Sequence, residues 1–168
     1  YNAFPDEGKK AGELTFKGEA NLFLANGAAW MNEKYGDTGT SWGGKNFEGS
    51  HLTKLAGGVS ADKAGQIFQK DTGNITVDNY SGYTDVYYAH EETAPKTMIG
   101  GDFIIRKAAS GSGISLITDN KGLNTSSEAS ADKNLVSETL NALANKLFYK
   151  AYADGEHNLT GFVKIAEG

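Results

Sequence analysis

Five acids fall in the middle of the chain, Asp78, Asp85, Glu91, Asp102 and Asp119, among residues that alternate between apolar and polar. Two carboxylates held about 5 to 9 Å apart are what a glycosidase-type site requires, one carrying a proton and the other acting as base or nucleophile. Arg106, the single arginine, is a thin cationic complement to such a pair. Most of these acids adjoin Asn, Gly or Thr. Aspartate is a good turn residue in that setting, so turn chemistry accounts for them without a reaction.

The histidines His51, His90 and His157 lie far apart, and none stands in an H-x-x-x-H or H-E-x-x-H spacing. Lone histidines at strand ends and turns are ordinarily solvated, so no metal site is expected. Cysteine is absent, which removes disulfides, thiolate metal sites and cysteine nucleophiles together. There is no Gly-x-Ser-x-Gly, and Gly111-Ser-Gly113 is not followed by the lysine of a phosphate-binding loop. Neither a Gly-Gly-x-Gly-x-Asp repeat nor an EF-hand loop occurs. The expectation is a chain with no catalytic residue and no cofactor.

Aromatic side chains offer a different chemistry. Tyrosine suits a contact surface because it presents area with little entropy to lose. If Val86 and Tyr88 point inward on a strand, Tyr87 points outward. Tyr88 is then a core residue, with Tyr80 as a second candidate for the interior. Tyr83 sits at the preceding corner, and Trp42 lies in a glycine-rich hydrophilic stretch between Asn32 and Ser50. Loops of that length are often functional. Tyr83, Tyr87 and Trp42 are the candidate binding residues.

What must position these residues is a pair of segments 28 residues apart. Ile75-Thr-Val77 lines up with Phe103-Ile-Ile105, and Val86-Tyr-Tyr88-Ala-His90 with Ile114-Ser-Leu116-Ile-Thr118. Gly73 and Gly101 are nearly the only identities. The offset places Ile75 against Phe103, Val86 against Ile114, His90 over Thr118 and Glu91 over Asp119. Apolar residues at every second position, followed by Gly/Ser-rich corners, read as strands with one buried face. A period of this size reads as a stacked array, with an antiparallel sandwich of hairpins as the rival.

Other short strands are expected at Leu14-Thr-Phe16, Leu22-Phe-Leu24, His51–Leu55 and Phe162–Ile165, with a turn at Asn26-Gly27. Ile67-Phe68 is read as returning the chain to the core, and Glu91–Gly100, containing Pro95, as a polar excursion. The period changes to 3.6 in the last third. Val136, Leu140, Leu143, Leu147 and Ala151 share one helical face, widened by Leu135, Ala144 and Phe148. That predicts a helix over about 126–153, begun by Thr125-Ser-Ser-Glu128 or by Ser130 or Asp132 and stopped at Asp154-Gly155.

Composition fits one domain over 1–168. Glycine is high at 22 residues and proline low at 2, which favours many tight corners. The net charge of −5 argues against a nucleic-acid partner, which would require a basic stripe. No apolar run is long enough to span a bilayer, so no membrane insertion by this segment is expected.

Several stretches resemble the passenger domains of bacterial autotransporter adhesins. They are Asn21-Leu-Phe-Leu-Ala-Asn-Gly-Ala-Ala-Trp30, Ser50-His-Leu-Thr53 with Gly57-Gly58, Gly65-Gln-Ile-Phe-Gln69, Asn79-Tyr-Ser-Gly82 with Val86-Tyr-Tyr-Ala-His90, and the tract from Ala131 through Leu140–Leu147 to Asn158-Leu-Thr-Gly161. The resemblance covers most of the chain from about residue 20. It implies an all-β fold with one inserted α-helix, a right-handed parallel β-solenoid (β-helix) that is a fragment of a longer array. It also implies secretion to the bacterial cell surface through an outer-membrane barrel, whose signature this sequence lacks. The function implied is cell adhesion to a host or bacterial surface protein or glycan, or service as a stalk. The alternative is a β-helix carbohydrate-active enzyme, a polysaccharide lyase or glycosidase, or a carbohydrate-binding module.

Overall fold

Strict alternation of apolar and polar residues gives strands, and strands buried on one face must find parallel or antiparallel partners. The computed structural model describes residues 20–25, 27–32, 49–70, 72–123, 129–149 and 159–166. These residues are mostly β, with parallel sheets and, among the described residues, one α-helix. The strands are β1 (Asn21–Phe23), β2 (Ala29–Asn32), β3 (Gly49–Ala56), β4 (Gly65–Gln69), β5 (Asn74–Ser81), β6 (Tyr83–Glu91), β7 (Ala94–Ile99), β8 (Phe103–Ile105) and β9 (Ser112–Thr118). The helix α1 (Ala129–Ala144) follows, then β10 (Leu147–Tyr149) and β11 (Leu159–Ile165).

The strands form two sheets. The first has the order β1-β3-β5-β8-β10 and the second β11-β9-β6-β4-β2. Every neighbouring pair within these two orders is parallel. The chain passes from one sheet to the other at almost every step. A strand of the opposite sheet therefore supplies the crossover that each parallel pair requires. Ile75, Val77, Phe103 and Ile105 of the first sheet and Ile67, Val86, Ile114 and Leu116 of the second are buried in one core.

Ile75 pairs with Phe103 and Val77 with Ile105, so the 28-residue offset gives the register of the first sheet and the antiparallel sandwich does not form. In the second sheet Val86 pairs with Leu116, and Ile114 with Thr84. Likewise Tyr88, not His90, sits beside Thr118. The offset there is 30, because Tyr80 still pairs with Ala108 at an offset of 28 and Tyr83 with Gly113 at 30, so four residues, 109–112, turn the corner that Ser81 and Gly82 turn between β5 and β6. A slip of two leaves every side chain on its own face.

The two matched glycines, Gly73 and Gly101, lie against each other. A β-carbon on Gly101 would stand 2.3 Å from the Gly73 carbonyl oxygen. A buried polar row holds this corner to the second sheet. Asn32, Gln69, Tyr88 and Thr118 are paired in register across four strands. The Asn32 amide donates to Gln69 Oε1 at 2.5 Å, and Gln69 Nε2 donates to the carbonyls of Gly73 at 3.0 Å and Gly101 at 3.1 Å. Tyr88 Oη donates to the same Gly101 carbonyl at 2.7 Å, and Thr118 Oγ1 to the Tyr88 carbonyl at 2.8 Å.

Two further expectations change. The segment Glu91–Gly100 is no excursion: β7 returns antiparallel along β6, with the register shifting between His90 and Glu91. Pro95 has no N–H to give a ladder, which suits it to such an irregular pairing at an edge. The helix is shorter than 126–153, ending at Ala144. Lys146 O accepts the Phe103 N–H at 2.7 Å and Leu147 pairs with Phe103, so sheet pairing takes over the residues that the helical period had claimed. Leu143 and Thr139 are buried where α1 packs on β7, β9 and β11, and Val136 and Leu140 are half-buried beside them. Leu14–Phe16, the Thr125–Glu128 capping box, Ala151 and Asp154-Gly155 lie outside the described residues.

Two substitutions test this packing by urea denaturation. Gly101→Ala should cost about 1 to 3 kcal/mol by forcing the Gly73 corner away. Leu143→Ala should cost about 2 to 5 kcal/mol, the loss expected of a core leucine. An unchanged midpoint for Leu143→Ala would mean that the helix stripe does not pack on the sheets.

Candidate functional site

Alternation along β6 divides its side chains cleanly. Thr84, Val86 and Tyr88 are buried, while Tyr83, Asp85 and Tyr87 stand on the outer face of the second sheet. Tyr87 thus points outward as expected, and Tyr80 and Tyr88 lie in the core. Tyr80 Oη donates to the Gly113 carbonyl at 2.6 Å. Burial pushes the hydroxyls of both core tyrosines well above their ordinary value.

Tyr83 and Tyr87 share the face but have different neighbours. The Tyr87 ring stacks on Phe68, its partner on β4, with centroids 4.9 Å apart and planes 13° from parallel. Partial burial raises the Tyr87 hydroxyl, and the Asp85 carboxylate adds to the rise. Tyr83 instead lines a groove of about 300 Å³ with Asp85, Gly113, Ser115, Thr160 and Phe162. The Tyr83 ring lies over Gly113, where a β-carbon would come within 2.8 Å of Cδ1. A second concavity of about 410 Å³ shares Ala61, Ala64 and Asp85 with the first and is lined further by Gln66, Asp62 and Lys63. Burial raises the Asp85 carboxyl, and Lys164 partly offsets the rise. Trp42, the third candidate, lies outside the described residues.

The five acids are dispersed. Asp78 accepts from His51 Nε2 at 2.9 Å and from Arg106 Nη1 at 3.0 Å on the first sheet. Asp102 lies 3.7 Å from Lys146 Nζ, and its N–H donates to Asn74 Oδ1 at 2.8 Å. Asp119 accepts the Lys121 N–H at 3.0 Å, as a turn aspartate does, and faces His90 Nε2 at 3.1 Å. Glu91 is exposed at the end of β6. Among the described residues no group of three or more His, Asp or Glu is arranged to hold a metal ion. His157 lies outside them.

Two residues of the outer face escape the reading from sequence. Phe68 is half-buried on the outside while Ile67 fills the core, and Phe162, 62% exposed, closes the groove opposite Tyr83. Alternation from Ile67 would have turned Phe68 outward. Phe162 reaches the groove only through the pairing of β11 with β9, which no local pattern announces. In comparisons with known proteins, no family model, curated protein or solved structure matches the chain.

The core tyrosines give the fold an alkaline limit. A tyrosine whose pKa is raised on folding ionises first in the unfolded chain. Its contribution to stability is intact below the unfolded value of 10.0 and is lost as pH rises beyond it. The urea midpoint should hold steady up to about pH 10 and fall above it, less steeply in Tyr88→Phe. A midpoint that stays level in stronger alkali would contradict the burial of these hydroxyls.

Proposed function

We propose that this chain is a non-catalytic segment of a secreted, surface-displayed adhesin, folded as a right-handed parallel β-solenoid, with the outer face of the second sheet as its contact surface. Alternation between two parallel sheets supports the solenoid. The observation that carries the binding reading is the projection of Tyr83, Asp85 and Tyr87 from one strand onto a single face with Phe68 and Phe162. An exposed aromatic face of this kind is the ordinary mark of an interaction site. Display at a bacterial surface through an outer-membrane barrel belongs to the same proposal and rests on the autotransporter resemblance. Among the described residues, no helix is long and apolar enough to cross a membrane.

The enzyme reading has one observation in its favour, the raised carboxyl of Asp85 in a groove. Glycoside cleavage of the usual kind takes two carboxylates set for one bond; among the described residues Asp85 is the one carboxylate lining the 300 Å³ groove, and Asp62 lies in the adjoining concavity.

Binding of the purified chain to host and bacterial cells, run beside a polysaccharide depolymerisation assay, separates the readings. Saturable binding weakened about tenfold by Tyr87→Ala, the loss of one aromatic anchor, is expected without turnover. Depolymerisation abolished by Asp85→Asn would overturn the adhesin reading. Absence of both binding and turnover leaves a stalk.

A further inference from the structure

The outer face of the second sheet holds a row of paired neighbours on four successive strands: Gln66, Asp85, Ser115 and Phe162. At about 4.8 Å per strand the row spans about 15 Å. The adjoining row contains Gly113, between Tyr83 and Thr160, and the Tyr83 ring lies over this glycine at the edge of the row. The concavities of about 300 and 410 Å³ share Ala61, Ala64 and Asp85 in their linings, so they adjoin as a trough across the strands.

The chemistry of this trough is mixed in a particular way. Tyr83 and Phe162 offer apolar rings, Asp85 a charged acceptor, Gln66 an amide, and Ser115 and Thr160 hydroxyls. A sugar ring has matching parts, an apolar C–H face and a rim of hydroxyl donors. Rigid aromatic side chains take the face at small entropic cost. A carboxylate accepting from a hydroxyl makes a charge-assisted hydrogen bond, stronger than a neutral one. Among the described residues the 300 Å³ groove has no lysine or arginine in its lining, and the second concavity adds Lys63 beside Asp62. The two linings thus carry one cation against the carboxylates of Asp62 and Asp85, and with a net charge of −5 on the chain an acidic sugar would meet repulsion.

We propose that the trough binds a neutral glycan chain laid across the strands, with one pyranose ring between Tyr83 and Phe162 and its hydroxyls donated to Asp85. The proposal rests on the reading of this face as a contact surface and adds its ligand class. Gly113 acts here as a positioning residue, since a side chain at 113 would displace the Tyr83 ring.

The test is calorimetric titration of the whole chain with neutral cello-, xylo-, manno- and galacto-oligosaccharides, with polyuronates, sialylated oligosaccharides and choline chloride as further arms. At least one neutral series should bind, with affinity rising with chain length and little changed by added salt. Asp85→Asn, Phe162→Ala and Gly113→Ala should each weaken it about tenfold or more, the scale of a lost charge-assisted contact or anchor. Phe148→Ala, at an exposed ring on the first sheet, should leave it unchanged. Thermal melts of each variant separate loss of the site from loss of the fold, and Phe162→Ala, at an exposed side chain, is the variant expected to melt as the parent does. Tighter binding of an acidic sugar or of choline overturns the proposal. Cell binding by the parent chain with no neutral glycan bound overturns the glycan inference alone. No binding to cells or to any arm overturns both this inference and the contact-surface reading.

Discussion

Gln69 is fully buried, and its amide group spans the corner where two turns stack, donating to the carbonyls of both Gly73 and Gly101. An amide in an apolar interior is costly unless all its groups are paired. Here Asn32 donates to its oxygen, and two stacked turns take its hydrogens. Both turns must therefore sit at fixed positions relative to β4. The corner repeats the lesson at the next residue, where Asn74 Oδ1 accepts the Asp102 N–H and Ile75 donates to the Asp102 carbonyl. Register in the first sheet follows from these contacts, and the apolar rows fill the space that the corner defines.

Because the corner fixes the inner face, the outer face is free to vary. Val86 and Tyr88 answer to the core, whereas Tyr83, Asp85 and Tyr87 between them answer only to their neighbours on the surface. The outer face of the first sheet shows a different solution, with Asp78 joined to Arg106 by an ion pair and to His51 by a hydrogen bond. One array thus carries the stacked Tyr87 and Phe68 rings on one side and the Asp78–Arg106 pair, with the exposed ring of Phe148, on the other. Surface ion pairs of this kind contribute little to stability, so the Asp78–Arg106 pair is not what holds the strands together.

Much of the interior was legible in the sequence because burial imposes a period. Ile75 opposite Phe103, the inward turn of Tyr80 and Tyr88, and the strands near His51 and Phe162 all follow from alternation. What stayed hidden depends on partners distant in the chain. Leu147 and Phe148 fit a helical face as well as a strand, and only the free edge of β8 decides the matter. β7 carries a proline and little alternation, so nothing local marks it as a strand, yet it completes a hairpin on β6. The outer site was half legible: Tyr87 came from alternation and Tyr83 from its place beside the corner, while Phe162 joins them across three strands.

The differing offsets of the two sheets, 28 and 30, have a consequence for how such a chain can change length. A corner of this array works as a reading frame of two. Adding a pair of residues between β8 and β9 moves the whole strand one notch along its neighbour and keeps its inside in and its outside out. Adding one would send Ile114 and Leu116 to the solvent and bring Ser115 and Ile117 into the core. Insertions that survive at these corners should come in even numbers or be long enough, like the β7 hairpin or the α1 segment, to leave the array and return in phase.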